Sequence, residues 1–252
     1  MINFFRKIRY NLMEQNKTGK YLKYALGEIL LVMIGILLAL QVNNWNQERK
    51  NNSLKKSYLK NLKVDLKKDL ENLEQLNTIN TSAEKAGYYL ANFLDNNLTV
   101  IDSSSLALSI VGTGYIPNPT IITSTYNDLI NSNNIHLFND VKLKRLLDEY
   151  YIRNNWLELF KSRIIKTAWF DYRDEMLTYH SPLLYKDFYA QGRLLAQNNL
   201  QIYKIQWNNM KNNENLKKQV GMLGAYRITI RNDLGRYIRV NKTLLNHLEK
   251  LE

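Results

Sequence analysis

The sequence predicts an all-α protein, with one N-terminal transmembrane helix continuing into an elongated antiparallel helical bundle. Three observations predict it. Ala25–Val42 (ALGEILLVMIGILLALQV) is an unbroken apolar run, with no charge and no strong polar group between Ile29 and Leu40. Beyond it, leucines recur at three- and four-residue steps, the spacing of a helix with one buried face. Only three prolines and ten glycines interrupt 252 residues, and no segment reads as a strand closed by a hairpin turn.

Residues 1–20 read as a basic amphipathic segment. Phe4, Phe5, Ile8, Leu12 and Met13 share one helical face, while Arg6, Lys7 and Arg9 lie mostly elsewhere. That pattern fits a helix lying on a membrane surface with its cations at the headgroups. Asn16, Lys17, Thr18 and Gly19 form a break before the next element.

Residues 21–45 read as the transmembrane helix. The 18 residues of Ala25–Val42 would run about 27 Å as a helix, close to a hydrocarbon core of about 30 Å. Tyr21 and Tyr24 precede the run and Trp45 follows it, as aromatic rings do at the two membrane–water boundaries. Glu28 is the costly residue. At the bilayer centre a carboxylate costs about 2.5–3.5 kcal/mol and less near the surface, so Glu28 is placed at headgroup level, where Lys20 or Lys23 can pair with it. No small-x-small cleavage site follows, since Leu40, Gln41, Val42 and Asn43 are too large. An uncleaved anchor is therefore favoured over a signal peptide and over a buried core helix. Gly27, Leu31, Gly35 and Ala39 recur every four residues. The small residues Gly27, Gly35 and Ala39 make the span a candidate for homo-oligomerisation, because small-xxx-small pairs let helices approach closely in lipid.

Residues 46–252 read as the extramembrane all-α bundle. A long helix from about Asn46 to Leu94 carries Leu59, Leu62, Leu66, Leu73 and Leu76 on one stripe, which Asp69 interrupts. The interruption argues against a clean coiled coil. Lysines 55, 56, 60, 63, 67 and 68 are interleaved with or followed by Asp65, Asp69, Glu71 and Glu74, so this face is a solvated one rather than a nucleic-acid patch. Asp95-Asn96-Asn97 ends the helix, and Asp102 with the serines after it caps a short helix at Leu106–Val111. Gly112–Pro119 is a loop without the spacing or the lysine of a phosphate-binding loop.

Thr123 or Ser124 caps a short helix to about Asn131, and Asn133-Asn134 turns the chain. Asn139 is expected to cap a long helix running from Asp140 to about Tyr179. Ser181-Pro182 opens a further helix, Gln191-Gly192 bends it, and Trp207 and Met210 mark another segment. Asn212, Asn213 and Asn215 read as a turn before a last helix from about Leu216 to Leu251. That helix and the long early one are expected to lie antiparallel, with the others closing the bundle.

Two segments resemble a known family. Gly27–Lys50 (GEILLVMIGILLALQVNNWNQERK) is similar to the hallmark of a bacterial family of single-span membrane proteins of unknown function. Ser124–Tyr151 (STYNDLINSNNIHLFNDVKLKRLLDEYY) is similar to that family's second pattern, and the opening FFRKIRYNLM also fits. The resemblance implies a short N-terminal segment, one span and a helical domain outside the cytoplasm. It implies no activity and supplies no catalytic residues.

Function is read by class. With no cysteine, the fold uses neither disulfides nor thiolate metal sites. His136, His180 and His247 are far apart and belong to no metal-binding spacing. Asp171, Asp174 and Glu175 near His180 form the densest acidic group, but Arg163, Lys166 and Arg173 around them favour a salt-bridge cluster over a cation site. No catalytic constellation and no cofactor is expected. The charge of +12 leaves nucleic acid and anionic membrane surface as partners to weigh. The favoured reading is a non-enzymatic, membrane-anchored interaction or scaffold module. Its partners would be the bilayer, a further copy through the span, and a protein. The alternative is an extracytoplasmic ligand sensor acting through a partner membrane protein, and third comes a cytoplasmic binder of nucleic acid or anionic lipid. Six basic residues before the span against five after it favour a cytoplasmic N-terminus by one residue. The expected site is therefore the inner membrane, with the bundle periplasmic.

Overall fold

The structure, a computed structural model, describes Tyr10 and residues 18–116, 119–152, 166–191 and 200–251. These residues are all-α: helices, two 3-10 turns and connecting loops, with no strand among them. The chain divides into two compact units, Met1–Ser57 and Tyr58–Glu252. The basic segment expected over residues 1–20 lies almost wholly outside the described residues.

Helix α1, Thr18–Leu94, contributes to both units. It ends as the sequence implies: Asn96 takes φ 59°, a left-handed conformation that asparagine tolerates and that stops a helix. Helix α2, Ser103–Thr113, begins on Asp102, whose carboxylate accepts from the Ser104 and Ser105 amides. Helix α3 is Ser124–Asn131, followed by a 3-10 turn, Asn134–Phe138.

Helix α4, Val141–Tyr151, corrects the expected cap. Asp140 holds the Leu143 amide at 2.9 Å, while Asn139 stands one residue too early in a left-handed turn with φ 43°. The long helix expected to about Tyr179 appears as α4 and, later, α5, Lys166–Met176, with residues 153–165 between them outside the described set. Helix α6 is Leu183–Gln191, and the Leu183 amide donates to Ser181 Oγ as a cap at that Ser-Pro predicts. Helices α7, Trp207–Lys211, and α8, Glu214–Glu249, complete the chain. Asn213, expected in a turn, is the α8 cap and accepts from Leu216 N at 3.0 Å.

Within Tyr58–Glu252, α8 runs through two apolar clusters. Its C-terminal half, with Ile230, Leu234, Tyr237, Leu244 and Leu248, meets Leu59, Leu62, Leu66 and Leu73 of α1 and Leu143, Leu146, Leu147 and Tyr150 of α4. Its N-terminal half, with Leu216, Val220 and Leu223, meets Leu90, Phe93 and Leu94 of α1, Ile110 and Val111 of α2, and Tyr172 and Met176 of α5. The two long helices are antiparallel here. Asn241 Nδ2 donates to Leu66 O, and Asn80 Nδ2 to Arg227 O, so a step forward along α1 matches an equal step back along α8.

Close packing of α1 on α2 depends on Gly112, where an added Cβ would stand 2.7 Å from the Ala86 Cβ. Alanine is worth about 1 kcal/mol over glycine in a helix, but an overlap of this size costs about 1–3 kcal/mol. Gly112→Ala is therefore expected to lower the denaturation midpoint. Gly221→Ala in α8, which meets no atom within 4 Å, is expected to raise it. A stabilised Gly112→Ala would mean that α1 and α2 are not in this contact.

Candidate functional site

Among the described residues of unit 1, the apolar helix is exposed rather than packed in protein. None of the apolar window that begins at Ala25 is buried. Leu26, Ile29, Leu30, Leu31, Val32, Met33, Ile34, Ile36, Leu37, Leu38, Leu40 and Val42 are all more than 45 % exposed, on every side of the helix. A surface helix of a soluble protein shows one apolar stripe, and a helix apolar all round is buried in protein or in lipid. This helix is long and apolar enough to cross a membrane.

The residues singled out from the sequence fall as follows. Trp45 is 64 % exposed three residues past the run, and Glu28 is half-buried. The side chains of Tyr21 and Tyr24 lie outside the described residues. Gly27 and Gly35 open onto free space, and Ala39 is exposed among the described residues.

Unit 2 holds two buried polar nodes. The first explains the interrupted stripe. Asp69, 1 % exposed, accepts from Ile122 N and from Tyr150 Oη, both at 3.0 Å. Asn241 of α8 donates to the same Tyr150 oxygen and to Leu66 O. One helical turn away, Asp65 accepts from Thr125 Oγ1 at 2.5 Å, and Tyr58 donates to Asp128 at 2.7 Å while accepting from Asn134. Tyr126 stacks on Tyr151 at 4.2 Å. The second family-like segment, Ser124–Tyr151, is thus a polar clasp that docks α3 and α4 on Tyr58, Asp65 and Asp69 of α1.

Burial pushes the Asp69 carboxyl up from its ordinary value, against the Ile122 and Tyr150 hydrogen bonds that lower it. A raised folded-state value stabilises the protonated form. Its contribution is full below the unfolded pKa and is lost as pH rises through the folded one. Asp69→Asn leaves one acceptor for two donors, so the variant is expected to lose about 1–3 kcal/mol. That loss should be larger near pH 4 than at pH 7, because only the wild type gains on acidification. Urea melts of both proteins at the two pH values check the sign.

The second node lies between the two apolar clusters. Arg227, 2 % exposed, donates through Nη2 to Gly112 O at 3.1 Å, Thr113 O at 2.5 Å and Tyr115 O. It closes the C-terminal end of α2. Burial pulls its guanidinium down to about 10, so it stays charged at neutral pH.

The acidic group near His180 does not assemble as one site. Arg173 pairs with Asp174 at 3.2 Å. Glu175 accepts from Tyr179 at 3.1 Å and from Asn213 at 2.6 Å, joining α5 to the start of α8. Among the described residues no three His, Asp or Glu side chains gather as a metal set. His180, 5 % exposed, has its ring held to Ser181 O at 2.9 Å, and burial pushes its imidazole below the ordinary value. Sequence reading missed Asn80, Arg227 and Asn241. Their signal was their register: Arg227 lies between Leu223 and Ile230, and Asn241 between Tyr237 and Leu244, on a stripe that is otherwise apolar.

Fold and site define an all-helical protein with, among the described residues, one exposed apolar helix of membrane length and a bundle clasped by buried polar groups. A family described as "Family of unknown function (DUF6090)" matches residues 28–167, more than half of the chain. The chain belongs to that family. The matched region begins inside the apolar helix and includes the whole clasp segment. No curated protein and no solved structure matches the chain.

Proposed function

We propose that this protein is a membrane-anchored, non-catalytic helical module. Residues around Ala25–Val42 span a lipid bilayer, and the bundle of residues 58–252 serves as an interaction or scaffold domain for a protein partner. One observation carries the reading: the apolar side chains of this helix are exposed all round. In water that surface is a severe liability, because monomeric soluble proteins rarely expose contiguous apolar patches beyond a few hundred Å². In lipid it is the ordinary condition of a spanning helix. Trp45 at the end of the run adds the aromatic boundary expected there. Asp69, Asn80, Arg227 and Asn241 each join one helix to another, which supports a structural rather than a chemical role for them.

The orientation proposed is a cytoplasmic N-terminus with the bundle across the inner membrane. Cysteine is absent from the chain, so Ser103→Cys and Asn246→Cys, both at exposed positions, give single labelling sites. After the outer membrane is permeabilised, both are expected to react with a membrane-impermeant thiol reagent. Protection of both until the inner membrane is lysed would reverse the orientation.

A further inference from the structure

Beyond the apolar run, α1 continues without a break through residues 43–57, so the depth and direction of each side chain follow from helix geometry. At 100° per residue, Trp45, Arg49, Asn52 and Lys56 fall on one face within about 60° of each other. They line one shallow groove, together with Glu48 and Ser53 on its margins. Trp45, Arg49, Asn52 and Lys56 are all exposed. Lys50 lies on nearly the opposite side, about 140° from Trp45.

Direction decides which end of the span can use its basic residues. Every Cα–Cβ bond of a helix tilts toward the N-terminus. Cations before a span therefore lean away from the bilayer, and cations after it lean back toward the lipid. Depth then ranks them. Arg49 lies about 6 Å beyond Trp45 along the axis, inside a headgroup layer of about 5–8 Å per leaflet. Asn52 lies about 10 Å and Lys56 about 16 Å beyond, within reach of bulkier headgroups and of the field over one to two screening lengths. Arg49 thus stands where a lipid phosphate sits, and its planar fork can grip two phosphate oxygens at once. Glu48 is the one acid on the groove, against Arg49 and Lys56.

We propose that the Trp45–Arg49–Asn52–Lys56 face is a binding site for the phosphate-bearing headgroup of an anionic phospholipid. The lipid belongs to the leaflet at the Trp45 end of the span. The proposal rests on the membrane-spanning reading above and adds a ligand class and a named contact.

The test uses the full chain in nanodiscs of a neutral phospholipid containing a minority of phosphatidylglycerol, with the lipids retained on the released protein counted by native mass spectrometry. Wild type is expected to retain phosphatidylglycerol above its share of the disc. Arg49→Gln should cut that enrichment about fivefold, the effect of one basic residue near an anionic surface. Lys50→Gln, which removes the same charge from the other face, should cut it by less than half as much. No enrichment in the wild type overturns the proposal, as does an equal loss in both variants, which would mean diffuse attraction without a site. Displacement of the bound lipid by free inorganic phosphate overturns the lipid as the occupant. Vesicle flotation in alkaline carbonate separates these failures from failure of the span itself. A wild type that does not float with neutral vesicles overturns the membrane reading and the site with it.

Discussion

A chain carrying Ile34→Arg together with Leu37→Arg is expected to leave the membrane fraction. Eleven Leu, Ile and Val residues lie within Ala25–Val42, and each favours insertion by about 0.3–0.6 kcal/mol. Their total is about 3–7 kcal/mol. Two arginines at the centre add about 5–7 kcal/mol of cost by the same measure and remove two of the favourable residues, so the balance changes sign. Neither residue is a member of the bundle's apolar clusters, and the helical circular dichroism of the bundle should survive. Extraction by alkaline carbonate is the readout. A double variant that still resists extraction would mean that another part of the chain holds the protein in the membrane.

Replacing Arg227 by methionine is expected to be the most damaging single change in the bundle. Methionine keeps the stem's apolar contacts but leaves Thr113 O and Tyr115 O without the donor that meets them. Each unsatisfied buried carbonyl costs about 1–3 kcal/mol. Gly112 O suffers less, because Tyr115 N also donates to it at 3.2 Å. Removing a desolvated cation returns part of the cost, and the expected net loss is about 3 kcal/mol. Arg227→Lys keeps the charge without the planar fork and should fall between the two. A urea midpoint unchanged in Arg227→Met would show that the end of α2 does not depend on this side chain.

Apolar spacing carried most of the fold. The leucines of α1 and α8 were legible because long helices repeat one simple pattern, and such repetition averages out local exceptions. Caps were less legible. Asn139 and Asp140 are adjacent and equally good cap residues. What separates them is that Asn139 takes the left-handed turn, and composition does not reveal which of two neighbours will do so. Asn213 posed the same problem among three nearby asparagines.

The polar nodes were visible only as violations. Asp69 was noticed as a break in the stripe, but its partners, Ile122 and Tyr150, are 53 and 81 residues away. No local rule connects them. Arg227 and Asn241 sat in apolar register and were not singled out, because the carbonyls that they satisfy belong to other elements. The same limit applies to the tyrosines. Tyr150, Tyr172 and Tyr237 are buried in the core, yet the hydroxyl partners of Tyr150 and Tyr172 come from distant segments.

The central claim is that the helix around Ala25–Val42 lies in lipid. The most direct measurement is a single-cysteine scan from Leu22 to Ser57 in sealed membranes, reading reaction with a water-soluble maleimide. A bilayer predicts one continuous protected block of about 18–20 residues that ends near Trp45, with Asn46 onward reactive on all faces. Protection recurring every three or four residues would contradict the account, since that is the pattern of a helix packed by one face against protein.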